Sequence, residues 1–211
     1  MSIADNIAEI EAALDGRAKL VAVSKVQPDE RIEEALAAGH RLYGENRVQE
    51  AHSRWSDRRA AHPDLTLHLI GPLQTNKAKQ AVELFDVIET VDRPKLVKAL
   101  AKAMAETGRN LDCYIQVNTG DEDQKAGVAP TDLPALLDTA ITAGLNITGL
   151  MCIPPIDEEP AMHFGLLKKL ATRHNLPNLS MGMSGDWQTA LNFGATHLRI
   201  GTAVFGARDY A

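Results

Sequence analysis

The chain has 211 residues, of which 45% are hydrophobic and 24% are charged, a composition typical of one globular domain with a substantial core. Its net charge of -6 argues against binding to nucleic acid, because that function requires a clustered basic surface. No apolar run approaches the roughly 20 residues that cross a bilayer, and the N-terminal segment is acidic. We therefore expect a soluble, cytoplasmic protein that uses neither nucleic acid nor membrane as a partner.

Short apolar runs alternate with longer segments of helical periodicity along the whole chain. A first amphipathic helix is indicated by four apolar residues on one face, Ile3, Ile7, Ile10 and Leu14. Eight candidate strands follow, over residues 20–24, 41–43, 67–70, 86–90, 111–117, 147–151, 179–181 and 197–200. Helical segments lie between them, among them 29–38, 93–107, 133–143, 161–174 and 186–193. Several of these end at a glycine that favours a helix C-cap, namely Gly39, Gly108, Gly144 and Gly194.

Repeated strand–helix units predict parallel strands joined by right-handed crossovers, either in an open doubly wound sheet or in a closed barrel. Eight units favour closure. The sequence therefore predicts an α/β fold, a single-domain (β/α)8 TIM barrel over residues 1–211 with an extra N-terminal helix. About 250 residues are typical of this barrel, so its loops must be short. No linker or shift in composition indicates a second domain.

Two turns of the predicted barrel have the composition of a phosphate site. In such barrels the loops after strands seven and eight commonly bind phosphate. The turn after strand seven is rich in glycine and serine and contains Ser184. Because it leads into a helix, its free N–H groups and the helix dipole suit a dianion. After strand eight, Gly201 allows close approach of a ligand and Thr202 adds a hydroxyl. Either turn alone is typical of an ordinary helix N-cap, but the two together favour phosphate.

A lysine and an arginine lie at the same predicted rim. Lys25 directly follows the first strand, where it would either cap the strand in solvent or project into the barrel mouth. A partly desolvated amine has a lowered pKa and can attack an aldehyde. A lysine and a phosphate cradle are the two anchors that pyridoxal 5'-phosphate (PLP) needs. Arg199 would either be a surface or salt-bridged arginine or face the pyridine nitrogen, and there it would hold that nitrogen unprotonated because a guanidinium only donates.

Seven longer segments, in order, carry a resemblance to a known family. They are AVSK (22–25), YGENRVQE (43–50), HLIGPLQTNK (68–77), QVN (116–118) with Glu122, Lys125 and Gly127, GLMCI (149–153), LSMGMS (179–184) and RIGTAVFG (199–206). With these segments the chain resembles the pyridoxal phosphate homeostasis proteins, or proline synthetase co-transcribed homologues, which are related to the N-terminal barrel of alanine racemase. The resemblance spans nearly the whole chain.

The resemblance implies a role for each matched residue. Lys25 would carry PLP as a Schiff base, Arg199 would face the pyridine nitrogen and Asn46 would be a further pocket residue. The phosphate would be bound by Ser184, Gly201 and Thr202. Many members carry a second lysine two positions after the Schiff-base lysine, and Gln27 stands there in this chain. The role of that second lysine in cofactor exchange therefore stays open here.

The function that the resemblance implies is intracellular PLP (vitamin B6) homeostasis, and indirectly amino-acid and keto-acid balance. The protein would act as a carrier or regulator without established catalysis, a monomer that passes PLP to apo-enzymes. Two alternatives stay open. A racemase-like enzyme would need a second acid or base opposite Lys25, and no tyrosine or cysteine motif clearly supplies one. A barrel that binds another phosphorylated metabolite would form no covalent adduct.

The remaining polar and sulfur-containing residues have simpler interpretations. Cys113 and Cys152 lie in apolar segments and are expected to be reduced core thiols, and the histidine spacing predicts no metal site. His68 and His197 are expected to be strand residues with satisfied hydrogen bonds. The acidic run 121–123 predicts a solvated loop, although the matched motif leaves a cofactor-handling role open for Lys125. The arginines around Trp55, which are Arg54, Arg58 and Arg59, are expected to form a solvated helix face.

Overall fold

The structure is a computed structural model that describes residues 2–122 and 124–207. Eight parallel strands form a closed barrel in chain order, and the first strand pairs with the eighth. This confirms the predicted (β/α)8 fold. The strands are β1 (Lys19–Val23), β2 (Leu42–Glu45), β3 (Thr66–Leu69), β4 (Val87–Val91), β5 (Asp112–Gln116), β6 (Asn146–Met151), β7 (Asn178–Ser180) and β8 (His197–Ile200).

Helices cover the outside of the barrel. They are α1 (Ile3–Leu14), α2 (Asp29–Ala37), α3 (Val48–Ala61), α4 (Ala78–Leu84), α5 (Pro94–Thr107), α6 (Leu133–Thr142), α7 (Pro160–Arg173), α8 (Trp187–Asn192) and α9 (Thr202–Phe205). A 3-10 turn, Thr75–Lys77, precedes α4. The four glycines predicted to end helices all have positive φ, between 68° and 89°. In the part of the chain described, none of these helices has the length and apolarity to span a membrane.

The extra N-terminal helix predicted from its apolar stripe is present as α1. Ser2 and Asp5 form a capping box at its start, so two otherwise unpaired backbone N–H groups are satisfied. The four predicted apolar residues are all buried. They pack α1 against β1, α2 and α9. This helix lies outside the repeating strand–helix units and covers the side of the barrel where β8 closes on β1.

Register places the predicted site residues at one rim. Val21 of β1 lies opposite Arg199 of β8, and Ala22 lies opposite Ile200. Lys25 and Gly201 therefore both follow their strands at the C-terminal end of the barrel, where barrels of this type place their functional loops. The barrel interior holds a polar layer of charged and imidazole side chains in addition to its apolar core.

Candidate functional site

The six predicted site residues line one pocket at the C-terminal ends of the strands. They are Lys25, Asn46, Ser184, Arg199, Gly201 and Thr202. The pocket has a volume of about 280 Å³, close to the lower end of the roughly 300–1,000 Å³ found for ligand sites. A larger hollow of about 420 Å³ lies at the opposite, N-terminal end of β1 and β2. Chemistry rather than size favours the smaller pocket, because it combines a lysine amine, a guanidinium and a serine-glycine turn.

Lys25 is presented by a tight turn directly after β1. The N–H of Gln27 donates to the carbonyl of Ser24 at 3.2 Å, which closes the turn around Lys25 and Val26. Val26 has a φ of 59°, a left-handed conformation that is an outlier for a β-branched residue. Its side chain is 62% exposed, whereas Lys25 is only partly exposed and lines the pocket. The turn thus directs the lysine inward and the valine outward.

The turns after β7 and β8 are joined at Ser184. The N–H of Ala203, just after β8, donates to Ser184 Oγ at 3.4 Å. In the described ranges, the N–H groups of Ser184 and Gly185 donate to no carbonyl or side chain, which leaves two donors at the pocket rim. Gly182 is required behind them, since it has a φ of 92° and a Cβ there would lie 2.6 Å from the Cβ of Ala190. Uncommitted N–H groups beside a hydroxyl are suited to a phosphate.

The guanidinium of Arg199 is held firmly in the wall of the pocket. The side chain is only 3% exposed. Its Nη1 donates to Ser180 Oγ at 2.7 Å, and its Nη2 donates to the carbonyl of Cys152 at 2.7 Å. These partners come from the ends of β7 and β6, so three strands fix the orientation of the group. Of the two simpler interpretations of the sequence, a surface arginine is wrong for Arg199, whereas a salt-bridged arginine agrees with its ion pair to Glu89 of β4 at 3.9 Å.

Glu89 is a functional neighbour that the sequence analysis missed. This carboxylate of β4 is fully buried and accepts from Ser180 Oγ at 2.5 Å and from His68 Nδ1 at 2.6 Å. Its Oε2 lies 3.9 Å from Arg199 Nη1. Burial raises the pKa of Glu89, but the hydrogen bond from His68 and the charges of His68 and Arg199 outweigh burial and bring the pKa below its ordinary value. The sequence signal that could have identified this residue is a glutamate within the otherwise largely apolar strand VIETV, residues 87–91.

His197 lies in the same polar layer and gives the fold a pH dependence. Its ring stacks against His68 with centroids 5.5 Å apart, and its Nδ1 lies 2.9 Å from Thr196 Oγ1. Burial, followed by the charge of His68, lowers the pKa of His197 to about 4. Both histidines are hydrogen-bonded strand residues, as predicted.

We expect stability to fall on acidification because of His197. A histidine whose folded pKa is lowered stabilises the fold fully above the unfolded value of 6.5, and the contribution is lost as the pH falls from 6.5 towards 4. The total loss is about 3 kcal/mol. Urea unfolding at pH 7 and pH 4.5 should show a smaller pH difference for His197→Gln than for the parent protein. His52→Gln, at an exposed position, is the control, and an equal pH difference in the parent protein and His197→Gln would contradict the assignment.

The two cysteines are free and buried, as predicted. Burial raises the pKa of each thiol to about 12, so neither forms a reactive thiolate near neutral pH. Met151 and Cys152 are both fully buried. The backbone carbonyl of Cys152, rather than its sulfur, accepts a hydrogen bond from Arg199. The structure describes no group of three or more histidine, cysteine or acidic residues that could hold a metal ion.

Asn46 and its surroundings complete the pocket. Its Oδ1 is buried and has no hydrogen-bond partner, which leaves an acceptor in the pocket wall. The Asn46 backbone is pressed against Gly71 of the next loop, where a Cβ would lie 2.2 Å from the Asn46 carbonyl oxygen. An unsatisfied acceptor and a lysine amine on one side, with open N–H donors on the other, are a donor and acceptor set that fits PLP.

The arginines of α3 and Lys125, which the sequence analysis singled out, both lie outside the pocket lining. Trp55 is fully buried, and the side chains of Arg54, Arg58 and Arg59 are only 15%, 17% and 27% exposed, so these arginines do not form the solvated helix face that was predicted. Lys125 Nζ lies 2.5 Å from Glu122 Oε2 and 3.5 Å from the carbonyl of Pro154.

Gln27, which stands where many family members carry a second lysine, is buried, and its Oε1 accepts a hydrogen bond from Arg31. Asp123, in the predicted acidic loop, lies outside the described residues.

Comparison with known proteins places the chain in a family. The model of the family "Alanine racemase, N-terminal domain" matches residues 1–209. A pyridoxal phosphate homeostasis protein of Pseudomonas aeruginosa is 41% identical over 99% of this chain and 97% of its own. The chain belongs to the pyridoxal phosphate homeostasis protein family. The sequence resemblance is thereby confirmed.

Solved structures agree with this membership of the pyridoxal phosphate homeostasis protein family. PipY of Synechococcus elongatus PCC7942 is 40% identical, and the match covers 97% of this chain and all of PipY. The TM-score is 0.91 for PipY without PLP and 0.87 for PipY with PLP bound. An alanine racemase of Clostridium difficile, at 12% identity and a TM-score of 0.79, covers 98% of this chain but 56% of the racemase. That likeness shows the barrel fold alone.

Proposed function

We propose that this protein binds PLP as a Schiff base on Lys25 and serves as a carrier and regulator in vitamin B6 homeostasis. The observation that carries the proposal is the convergence of six residues, from the ends of four different strands, on one pocket. The names of the homologues and the PLP-bound structure of PipY support it. Residues 1–211 act together as one PLP-binding domain.

Each residue has a separate part in the proposed site. PLP would supply an aldehyde, the partner that an unprotonated lysine amine requires. Lys25 provides that amine, and Ser184, Gly201 and Thr202 bind the phosphate. Asn46, whose Oδ1 lacks a partner, accepts a hydrogen bond on the other edge of the pocket. Arg199 would face the pyridine nitrogen as a donor and would so keep a proton from that atom, which would make the ring a poorer electron sink.

The electrostatics of the pocket favour carriage over turnover of amino acids. Among the described residues that line it, the titratable side chains are Lys25 and Arg199. A guanidinium stays charged and cannot act as a base, and a racemase needs a second acid or base opposite its lysine. We further propose that the protein works as a monomer in the cytoplasm and that PLP-dependent apo-enzymes receive the cofactor from it.

Borohydride reduction tests the proposed attachment. The protein is incubated with PLP, reduced, digested and mapped by mass spectrometry, and we expect the reduced adduct on Lys25. An adduct on another lysine, or no adduct at saturating PLP, would exclude the attachment and favour non-covalent binding of a phosphorylated metabolite. Incubation with single L-amino acids in deuterated water provides the second arm. We expect only a trace of Cα exchange, whereas rapid stereospecific exchange would favour the racemase-like alternative.

A further inference from the structure

One guanidinium binds both ends of the turn that carries Lys25. Arg54 extends from α3, and its Nη1 donates to the carbonyl of Ser24 at 3.0 Å while its Nη2 donates to the carbonyl of Gln27 at 3.2 Å. These two carbonyls flank Lys25 and Val26. The Arg54 side chain is 15% exposed, so both hydrogen bonds are largely shielded from water. A planar guanidinium can bridge two carbonyls at a fixed spacing, whereas a lysine ammonium acts as a point donor.

Arg54 is itself fixed by the buried carboxylate of Glu45, the last residue of β2. Glu45 is fully buried, and its Oε1 lies 2.9 Å from Arg54 Nη1. The same oxygen accepts from Ser24 Oγ at 2.7 Å and from Trp55 Nε1 at 2.9 Å. One carboxylate oxygen therefore joins the lysine turn, the second strand and α3, and the arginine bridge keeps its charge balanced inside the protein.

The turn needs such a bridge because its backbone is strained. Val26 holds a φ of 59°, which its β-branched side chain disfavours, and that side chain is 62% exposed. Packing therefore contributes little to keeping Val26 in this conformation. The hydrogen bonds from Arg54 to the carbonyls of Ser24 and Gln27 add to the one from Gln27 N–H to the Ser24 carbonyl, and together they help to hold the backbone there.

We propose that Arg54 and Glu45 are positioning residues that hold the Lys25 amine where it meets the PLP aldehyde. The inference rests on the proposed function. Neither residue lines the pocket, so both act through the turn. Without the bridge the turn relaxes towards ordinary φ values at Val26, and the amine spends less time at the position from which the Schiff base forms. PLP then binds more weakly and leaves sooner.

The test compares Arg54→Lys with Arg59→Lys on the same helix. The lysine in Arg54→Lys keeps the charge but reaches one carbonyl, so we expect PLP to be lost about tenfold faster, the effect of one charged hydrogen bond. Loss is followed as decay of the visible imine band with a large excess of semicarbazide as the trap. Among the described residues Arg59 pairs with Asp86, away from the lysine turn, Arg54 and Glu45, and its variant should release PLP within about twofold of the parent rate.

A second substitution separates positioning from general stability. Glycine adopts a φ of 59° without the penalty that valine meets, so Arg54→Lys combined with Val26→Gly should release PLP about threefold more slowly than Arg54→Lys alone. A purely structural role of Arg54 would not give this recovery. The thermal unfolding midpoint of each apo-protein is measured in parallel. A double variant as fast as Arg54→Lys would overturn the proposed link to the strained turn.

Release at the parent rate in Arg54→Lys would overturn the inference outright. If Arg54→Lys does not fold, Ser24→Ala tests the inference in its place. This variant removes one hydrogen-bond donor to Glu45, and we expect it to release PLP about threefold faster than the parent protein. An unchanged rate in Ser24→Ala would then overturn it. Failure of the proposed function is distinct, because the parent protein itself would form no imine band with PLP.

Discussion

Lys25→Ala is expected to abolish the visible imine band of the PLP-loaded protein and the adduct trapped by borohydride. The reason is that Lys25 supplies the amine that lines the pocket at the end of β1. The proposed phosphate donors after β7 and β8 remain in this variant, so PLP should still bind, but weakly and without a covalent bond. Absorbance after purification with excess PLP, followed by gel filtration, measures the result.

Lys19→Ala is the matched control, since Lys19 begins the same strand at its opposite, exposed end. We expect it to keep the parent absorbance and the adduct on Lys25. An imine band of parent intensity in Lys25→Ala would contradict the proposed attachment.

Glu89→Ala is expected to lower the free energy of unfolding by about 3–5 kcal/mol, the cost of leaving buried charge without its partner. The substitution removes the acceptor of Ser180 and His68 and the carboxylate nearest to Arg199. Arg199 would then be a buried cation whose remaining acceptors are a hydroxyl and a carbonyl. Urea unfolding of the apo-protein measures the change without any contribution from PLP.

Two further variants make the Glu89 prediction specific. Glu83→Ala removes an exposed carboxylate from α4 and should change stability by less than about 0.5 kcal/mol. Glu89→Ala combined with Arg199→Met should be less destabilised than the sum of the two single variants, because the uncompensated cation is then absent. Strict additivity, or a loss below about 1 kcal/mol in Glu89→Ala, would show that the pair is not coupled.

Local sequence patterns were sufficient for the barrel and for most of the pocket. Strands and helices differ in the spacing at which apolar residues recur. This spacing can be recognised from residues that lie near one another in the chain. Every strand prediction lies within two residues of the observed bounds, and the prediction for β8 coincides with them. In a parallel barrel every strand ends at the same rim, so a lysine after β1 and two turns after β7 and β8 were predicted to converge, and they do.

The sequence alone determined that eight strand–helix units follow one another and that an amine and two phosphate-type turns end three of the strands. Only the tertiary structure decided the environment of those groups. Glu89 and Arg199 are 110 positions apart, and Glu45 meets Ser24 and Arg54 only because β2 and α3 pack beside β1. Burial of a charge depends on neighbours distant in sequence. The polar pattern of α3 predicted a solvated face, whereas the fold covers most of Arg54, which bridges the Glu45 carboxylate and two carbonyls of the lysine turn.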